Sequence, residues 1–264
     1  MKRIIYLVAV LLTPLLGLSQ TQKFKYTPKV KQRVEITNLL GNITLVNTGG
    51  GVISIESDFS ADIPDRAKGL QTVGAMEDNT GLGINITEDN GVIYISGATN
   101  KVKDYNYSIS VPKGMSVSLD YNSPFANGDL SIDSYNGSLE VKTLNANVNI
   151  SNSTGPLAIN TVSGEIEVSF DKISQSEPTS LATVSGQINI SLPEKEKATV
   201  KVNTMTGKVI SDFKPESKKT EKSDKRAKGL ISLKMNMPKE FKVNGGGVKV
   251  SLNSVSGNIN LNKQ

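Results

Sequence analysis

Residues 128–170 read GDLSIDSYN, GSLEVKTLN, ANVNISNST, GPLAINTVS and GEIEVSF without a gap, four nonapeptides and the opening of a fifth. Glycine begins four of the five, at 128, 137, 155 and 164, and Ala146 begins the other. The third and fifth positions are apolar throughout: Leu130 and Ile132, Leu139 and Val141, Val148 and Ile150, Leu157 and Ile159, Ile166 and Val168. An apolar residue at every second position marks a strand with one buried face. The intervening Ser131, Glu140, Asn149, Ala158 and Glu167 should then point outward. An eighth-position residue, Tyr135, Leu144 or Val162, is expected to turn inward before each corner, with Ser153 breaking that pattern. Junctions such as Tyr-Asn-Gly and Val-Ser-Gly suit a tight bend with positive φ.

A unit of nine residues supplies about five of strand and four of turn, too few for an ordinary hairpin, and its single apolar stripe is hidden only by stacking against copies of itself. The expected fold class is therefore all-β, a parallel β-helix or β-roll solenoid. Two units per coil make a flattened roll and three a triangular helix. Strands spaced at 8–12 residues also describe an antiparallel β-sandwich, the alternative reading. Similar phrases recur at irregular spacing in LGNITL (40–45), VSGQINI (184–190), MTGKVI (205–210) and VSGNINL (255–261), so residues 20–264 read as one domain. Segments 60–80, 171–181 and 211–229 interrupt the register as insertions.

Longer stretches, DNTGLGINITEDNGVIYISG (78–97), YNYSISVPKGMSVSL (105–119), 169–213 and VNGGGVKVSLNSVSGNINL (243–261), resemble the bacterial putative-adhesin domain family, related to the GIN-type head domains. That resemblance spans nearly the whole chain after residue 19. It implies a secreted, parallel β-helix-like domain with a role in surface adhesion, and it carries over no catalytic residue.

The N-terminus, MKRIIYLVAVLLTPLLGLSQ, has two early charges and an apolar run from Ile4 to Leu18. It reads as a signal peptide over 1–19, with Gly17 and Ser19 as the small residues before a cleavage site; the competing reading is a retained N-terminal anchor, for which the run is short. The expected location is across the inner membrane, periplasmic or at the cell surface, with no integral membrane segment left once the signal is gone. The formal charge of +5 loses Lys2 and Arg3 with that segment. Much of the remainder sits in KPESKKTEKSDKRAK (214–228), seven basic and three acidic residues, which reads as a solvated charged loop and not as a nucleic-acid surface.

With no His, Cys or Trp in the chain, serine triads, thiolate nucleophiles, disulfides and imidazole-bound metals are excluded. The protein is expected not to be an enzyme and to need no cofactor. Two carboxylates suffice for glycan hydrolysis, and Glu165 and Glu167, with Glu140 in an equivalent position of a neighbouring unit, are the pair that would supply them. Calcium-roll repeats place an Asp at every turn, but Asp129 and Asp133 give way to Ser138 and Lys142 in the next unit, so no metal ladder is expected. Glu88 and Asp89 mark a turn where one isolated ion would fit. Candidate ligand-binding residues are Tyr105, Tyr107 and Tyr121, which cluster with Phe125 and Tyr135 as a stacking platform or as caps on the core, with Asn147 and Asn149 on an outward strand face. The expected partner is a surface glycan or protein. A second reading is a scaffold that stacks end to end through an open strand in the closing phrase SGNINLNKQ.

Overall fold

A computed structural model describes residues 21–30, 32–60, 76–98, 105–126, 128–173, 177–214 and 240–264. The signal peptide over 1–19 and nearly all of the charged loop over 214–228 lie outside the described residues. The strands, in chain order, are β1 (Gln22–Tyr26), β2 (Arg33–Thr37), β3 (Gly41–Thr48), β4 (Ile53–Ser57), β5 (Ile84–Asp89), β6 (Val92–Gly97) and β7 (Tyr105–Pro112). They continue as β8 (Ser116–Tyr121), β9 (Leu130–Asp133), β10 (Asn136–Thr143), β11 (Val148–Ser153), β12 (Gly155–Thr161), β13 (Ile166–Phe170) and β14 (Thr179–Thr183). The last are β15 (Ile188–Leu192), β16 (Ala198–Thr204), β17 (Val209–Ser211), β18 (Glu240–Val243), β19 (Val248–Ser254) and β20 (Ile259–Lys263).

These strands form two ten-stranded sheets. Sheet A runs β1-β4-β7-β3-β9-β11-β13-β15-β20-β17, and sheet B runs β18-β16-β19-β14-β12-β10-β8-β2-β6-β5. Each coil sends one strand to each sheet, so two units make one turn of a flattened parallel solenoid. In the regular block Leu139 lies beside Leu157 and Val148 beside Ile166, eighteen residues apart. Antiparallel pairing is confined to the ends, where β1 and β4 extend sheet A, and β5 and β18 flank sheet B. The apolar third and fifth positions meet between the sheets, where Leu139, Val141, Ile159, Ile166 and their counterparts are buried. Each such side chain contributes about 1.5–3 kcal/mol only when the next coil covers it. The solenoid reading holds, and a sandwich of antiparallel layers does not describe these sheets.

Three details differ from the nonapeptide expectation. Corner chemistry alternates, so the true period is two units. In the first and third units Ser134 and Asn152 adopt positive φ (53° each), which turns the eighth residues, Tyr135 and Ser153, inward. Ser153 thus keeps the pattern as a buried hydroxyl that donates to Tyr135 O (3.1 Å). In the second and fourth units plain alternation instead buries Thr143 and Thr161, leaving Leu144 half-buried and Val162 exposed. The hydroxyls of Thr143, Thr161, Thr183, Thr204 and Ser254 each accept from the N–H three residues on.

Secondly, the corner glycines of these Thr-x-x-Gly turns are not required by positive φ. Gly164, Gly186, Gly257 and Gly207 stand in one column with Ala146, and a Cβ on any of these four would lie 1.6–1.9 Å from the carbonyl oxygen of its neighbour in the column. Close approach of stacked backbones selects glycine here.

Thirdly, the coils do not stack in chain order. β6 and β7 pack outside β2 and β3, and β19 and β20 slot between β14/β15 and β16/β17. The closing phrase SGNINLNKQ is therefore an interior rung: β20 pairs with β15 on one side and β17 on the other. That removes the open terminal strand on which end-to-end self-association through this phrase was premised. Of the supposed insertion 171–181, residues 179–181 belong to β14.

Candidate functional site

The outer face of sheet A gathers the polar residues that alternate with the core. By register, Ser108, Thr44, Ser131, Asn149, Glu167, Asn189 and Asn260 form one ladder across successive coils. A groove of about 250 Å³ crosses this ladder between β3 and β13, lined among others by Ser131, Asp133, Asn149, Ser151 and Glu167. The Asn149 side chain is exposed there and, among the described residues, meets no hydrogen-bond partner, while its backbone lies in the ladder between β9 and β13. Asp133 accepts from Ser151 Oγ (2.6 Å), Asn152 Nδ2 (3.0 Å) and Ser134 Oγ (3.0 Å). These donors, Ser151 first, hold its carboxyl below the usual range, so the groove carries an organised negative charge.

Asn147 sits in the neighbouring ladder and is already engaged. Its amide donates to Asp129 (3.1 Å), and its oxygen accepts from Glu165 N (3.1 Å). The same ladder continues with Asn42 donating to Asn106 and accepting from Asp129 N, so much of it is a structural amide relay. Of the two asparagines, Asn149 alone offers both amide groups to a ligand.

The three tyrosines are corrected as surface candidates, because alternation points each into the core. Tyr105, Tyr107 and Tyr121 are 7%, 2% and 2% exposed. Tyr105 packs on Phe59 with ring centroids 4.9 Å apart. Burial pushes the Tyr107 phenol well above its ordinary range. Tyr121 braces a corner: its hydroxyl donates to Gly41 O (2.7 Å) and accepts from Gly41 N (3.1 Å) and Gly128 N (2.9 Å). Of the same aromatic cluster Phe125, in the loop leaving Tyr121, is the member left exposed, while Tyr135 is buried like the other tyrosines. A polar cleft of about 500 Å³ opens beside that corner, lined by Thr37, Asn38, Asp120, Asn122 and Ser123 with the Leu39 and Tyr121 positions.

The carboxylate pair also changes. Glu165 and Glu167 lie two residues apart on the sheet A face, but Glu140 is on β10 in sheet B, the opposite outer face, because consecutive units alternate between sheets. Glu140 is paired with Lys142 (2.7 Å) and Arg33 (3.6 Å), and the Lys142 hydrogen bond foremost holds its carboxyl low. Glu88 accepts from the Tyr26 hydroxyl (2.7 Å) and from the Lys29 and Val30 amides (3.2 Å each), so it staples β5 to the chain before β2. Among the described residues, no three Asp or Glu gather as metal ligands would. No helix among them is long and apolar enough to cross a membrane.

Fold and face together define a two-sheet parallel β-solenoid with polar outer ladders. The chain belongs to the Toastrack DUF4097 family, whose model matches residues 126–262. No curated protein matches it. Solved structures similar to it include a "putative cell adhesion protein" from Clostridium sporogenes, 11% identical over 93% of this chain and 100% of that one, with a TM-score of 0.48. A "putative adhesin" from Bacteroides fragilis is 12% identical over 93% and 97% (TM-score 0.34). Another from Parabacteroides merdae is 12% identical over 92% and 96% (TM-score 0.29).

Proposed function

We propose that the protein is an exported, non-enzymatic module of the cell envelope that binds an extended surface glycan along the outer face of sheet A. The carrying observation is the groove across β3, β9, β11 and β13, where Asn149 presents an uncommitted amide between the Asp133 and Glu167 carboxylates. Amides donate to and accept from sugar hydroxyls, and carboxylates accept from them, so repeated groups at strand spacing suit a chain of repeating units. The apolar N-terminal segment supports export, and the resemblance to adhesin domains supports an adhesive role. Residues 20–264 would be applied to a glycan array and to envelope polysaccharide pull-downs beside an Asn149→Ala variant. Retention that weakens about tenfold in the variant is the expected result, the loss of one or two hydrogen bonds. No retained glycan, or retention indifferent to Asn149, would overturn the assignment of this face.

A further inference from the structure

The corners joining sheet B to sheet A carry a row of apolar side chains that the fold leaves uncovered. Each comes from the residue after the capping hydroxyl: the half-buried Leu144 and the exposed Val162, Val184, Val255 and Met205. They are neighbours in the stack, since Val162 N donates to Leu144 O (3.2 Å), Val184 N to Val162 O (3.2 Å), Val255 N to Thr183 O (3.3 Å) and Met205 N to Val255 O (3.2 Å). Val162, Val184 and Val255 are 43–47% exposed and Met205 69%, while Phe125, on the same corner of the adjoining coil, is 63% exposed. The residues that follow them, Asn145, Ser163, Ser185, Ser256 and Thr206, are uncharged. The Ser163, Ser185 and Ser256 hydroxyls donate back to the carbonyls of Leu144, Val162 and Val184. The opposite edge is built differently, with Lys113, Asp171, Lys172, Glu194 and Lys195 in its corners.

We propose that this ridge is where two copies of the chain pair side by side, antiparallel, about a two-fold axis passing between Val162 and Val184. Three observations select a second copy. First, the side chains recur at the strand spacing of about 4.8 Å, and an array of that pitch meets another of the same pitch side chain for side chain. Second, the exposed side chains offer roughly 500 Å² of apolar surface per copy, which with the flanking hydroxyl strips approaches the ~800 Å² per partner of a standard interface. A reversible dimer is the consequence. Third, stacked strands twist, so two such edges touch at their centres and part towards their ends. The small valines lie at the centre and the large Phe125 and Met205 at the ends. Antiparallel pairing sets Phe125 of one copy against Met205 of the other, a sulfur–aromatic contact. The ridge side chains and the residues that follow them include no Lys or Arg, Lys208 in the Met205 corner lying two positions further on, so the ridge offers little to hold an anionic lipid surface, which disfavours that occupant.

The chain contains no cysteine, so introduced thiols report contacts cleanly. Under oxidation Val184→Cys is expected to give a disulfide dimer across the axis, and to link faster still when mixed with Val162→Cys, which it faces, while Asn160→Cys, exposed on the outer face of sheet B, stays monomeric. Phe125→Cys should cross-link with Met205→Cys on mixing, and neither with itself. In sedimentation equilibrium the parent should dimerise with concentration, and Val184→Glu should weaken the dimer roughly 100-fold by setting an unpaired charge against Val162 of the other copy, with an unchanged circular dichroism spectrum. A monomer at every soluble concentration, with Val184→Cys cross-linking no faster than Asn160→Cys, would overturn the proposal. So would a monomer that floats with phosphatidylcholine vesicles, which assigns the ridge to lipid, and Phe125→Cys self-cross-linking would overturn the antiparallel arrangement. The ridge and the sheet A groove are separate, so Val184→Glu is expected to leave glycan retention unchanged.

Discussion

Gly186→Ala tests whether close-stacked corners, and not turn conformation, hold the coils in register. Its new Cβ would lie 1.9 Å from Gly164 O, against the 3.4 Å or more of ordinary contact. The obstacle is backbone, so the coils must part by more than an ångström at this corner. Parting breaks the bonds from Val184 N (3.2 Å) and Ser185 N (2.9 Å) to Val162 O. Two backbone hydrogen bonds at about 1 kcal/mol each, with about 1–3 kcal/mol of overpacking, give a cost of about 3–5 kcal/mol. Val184→Ala, next to the corner but exposed, should cost under about 0.5 kcal/mol. Ala146→Gly, at the base of the same column, should cost no more than about 1 kcal/mol, the backbone entropy of glycine. Urea unfolding followed by circular dichroism, with midpoints compared at constant m, reads all three. If Gly186→Ala unfolds within about 0.5 kcal/mol of the parent, the close-approach account is wrong and the corner glycines need another explanation.

Thr183→Val keeps shape but removes the acceptor for the buried Gly186 N–H (2.9 Å), so it should cost about 1–3 kcal/mol. If Thr183→Val proved as stable as Thr183→Ser in the same urea titration, the capping role would be refuted. Tyr121→Phe leaves Gly41 N and Gly128 N without their shared acceptor and should cost about 2–5 kcal/mol; a near-neutral thermal shift would contradict that corner. The Tyr26 hydrogen bond chiefly depresses the Glu88 carboxyl, whose ordinary value is 4.5. Its stabilisation is therefore full above that value and fades as pH falls through the lower folded one. The Tyr26 phenol, raised to about 12 chiefly by Glu88, contributes below its ordinary 10.0 and loses that contribution as pH climbs towards 12. Tyr26→Phe should flatten both flanks of the stability–pH curve, and unchanged flanks would dismiss the staple.

Much of the architecture was open to sequence reading because the alternation of Leu130, Ile132, Leu139 and Val141 is a local signal. What stayed hidden is non-local. No short-range pattern says that Ile188 pairs with Ile259 before Val209 does, since that order depends on which edges are free when the chain returns. The equivalence of Glu140 with Glu165 and Glu167 failed because units one step apart face opposite sides once two make a coil. The seventh residue carried the missing clue, Ser134 and Asn152 against Thr143 and Thr161, as small polar groups that tolerate positive φ alternate with β-branched ones that resist it. At the site, alternation placed Asn149 outward; the same rule applied to Tyr105, Tyr107 and Tyr121 would have turned these ligand candidates inward, and nothing in the sequence told that the Asn147 amide is consumed by Asp129 and Glu165. The uncovered ridge was spelled out in TVSG, TVSG, TMTG and SVSG, but its meaning needed the stacking order.

The interleaved coil formed by residues 248–263 makes completion of the stack a late event. Until those residues are present, β14/β15 and β16/β17 lack the coil that pairs with both of them. Such far-separated contacts slow assembly. A chain cut short near residue 247 would lose this keystone, leaving β16 and β17 without the parallel strands they pair with.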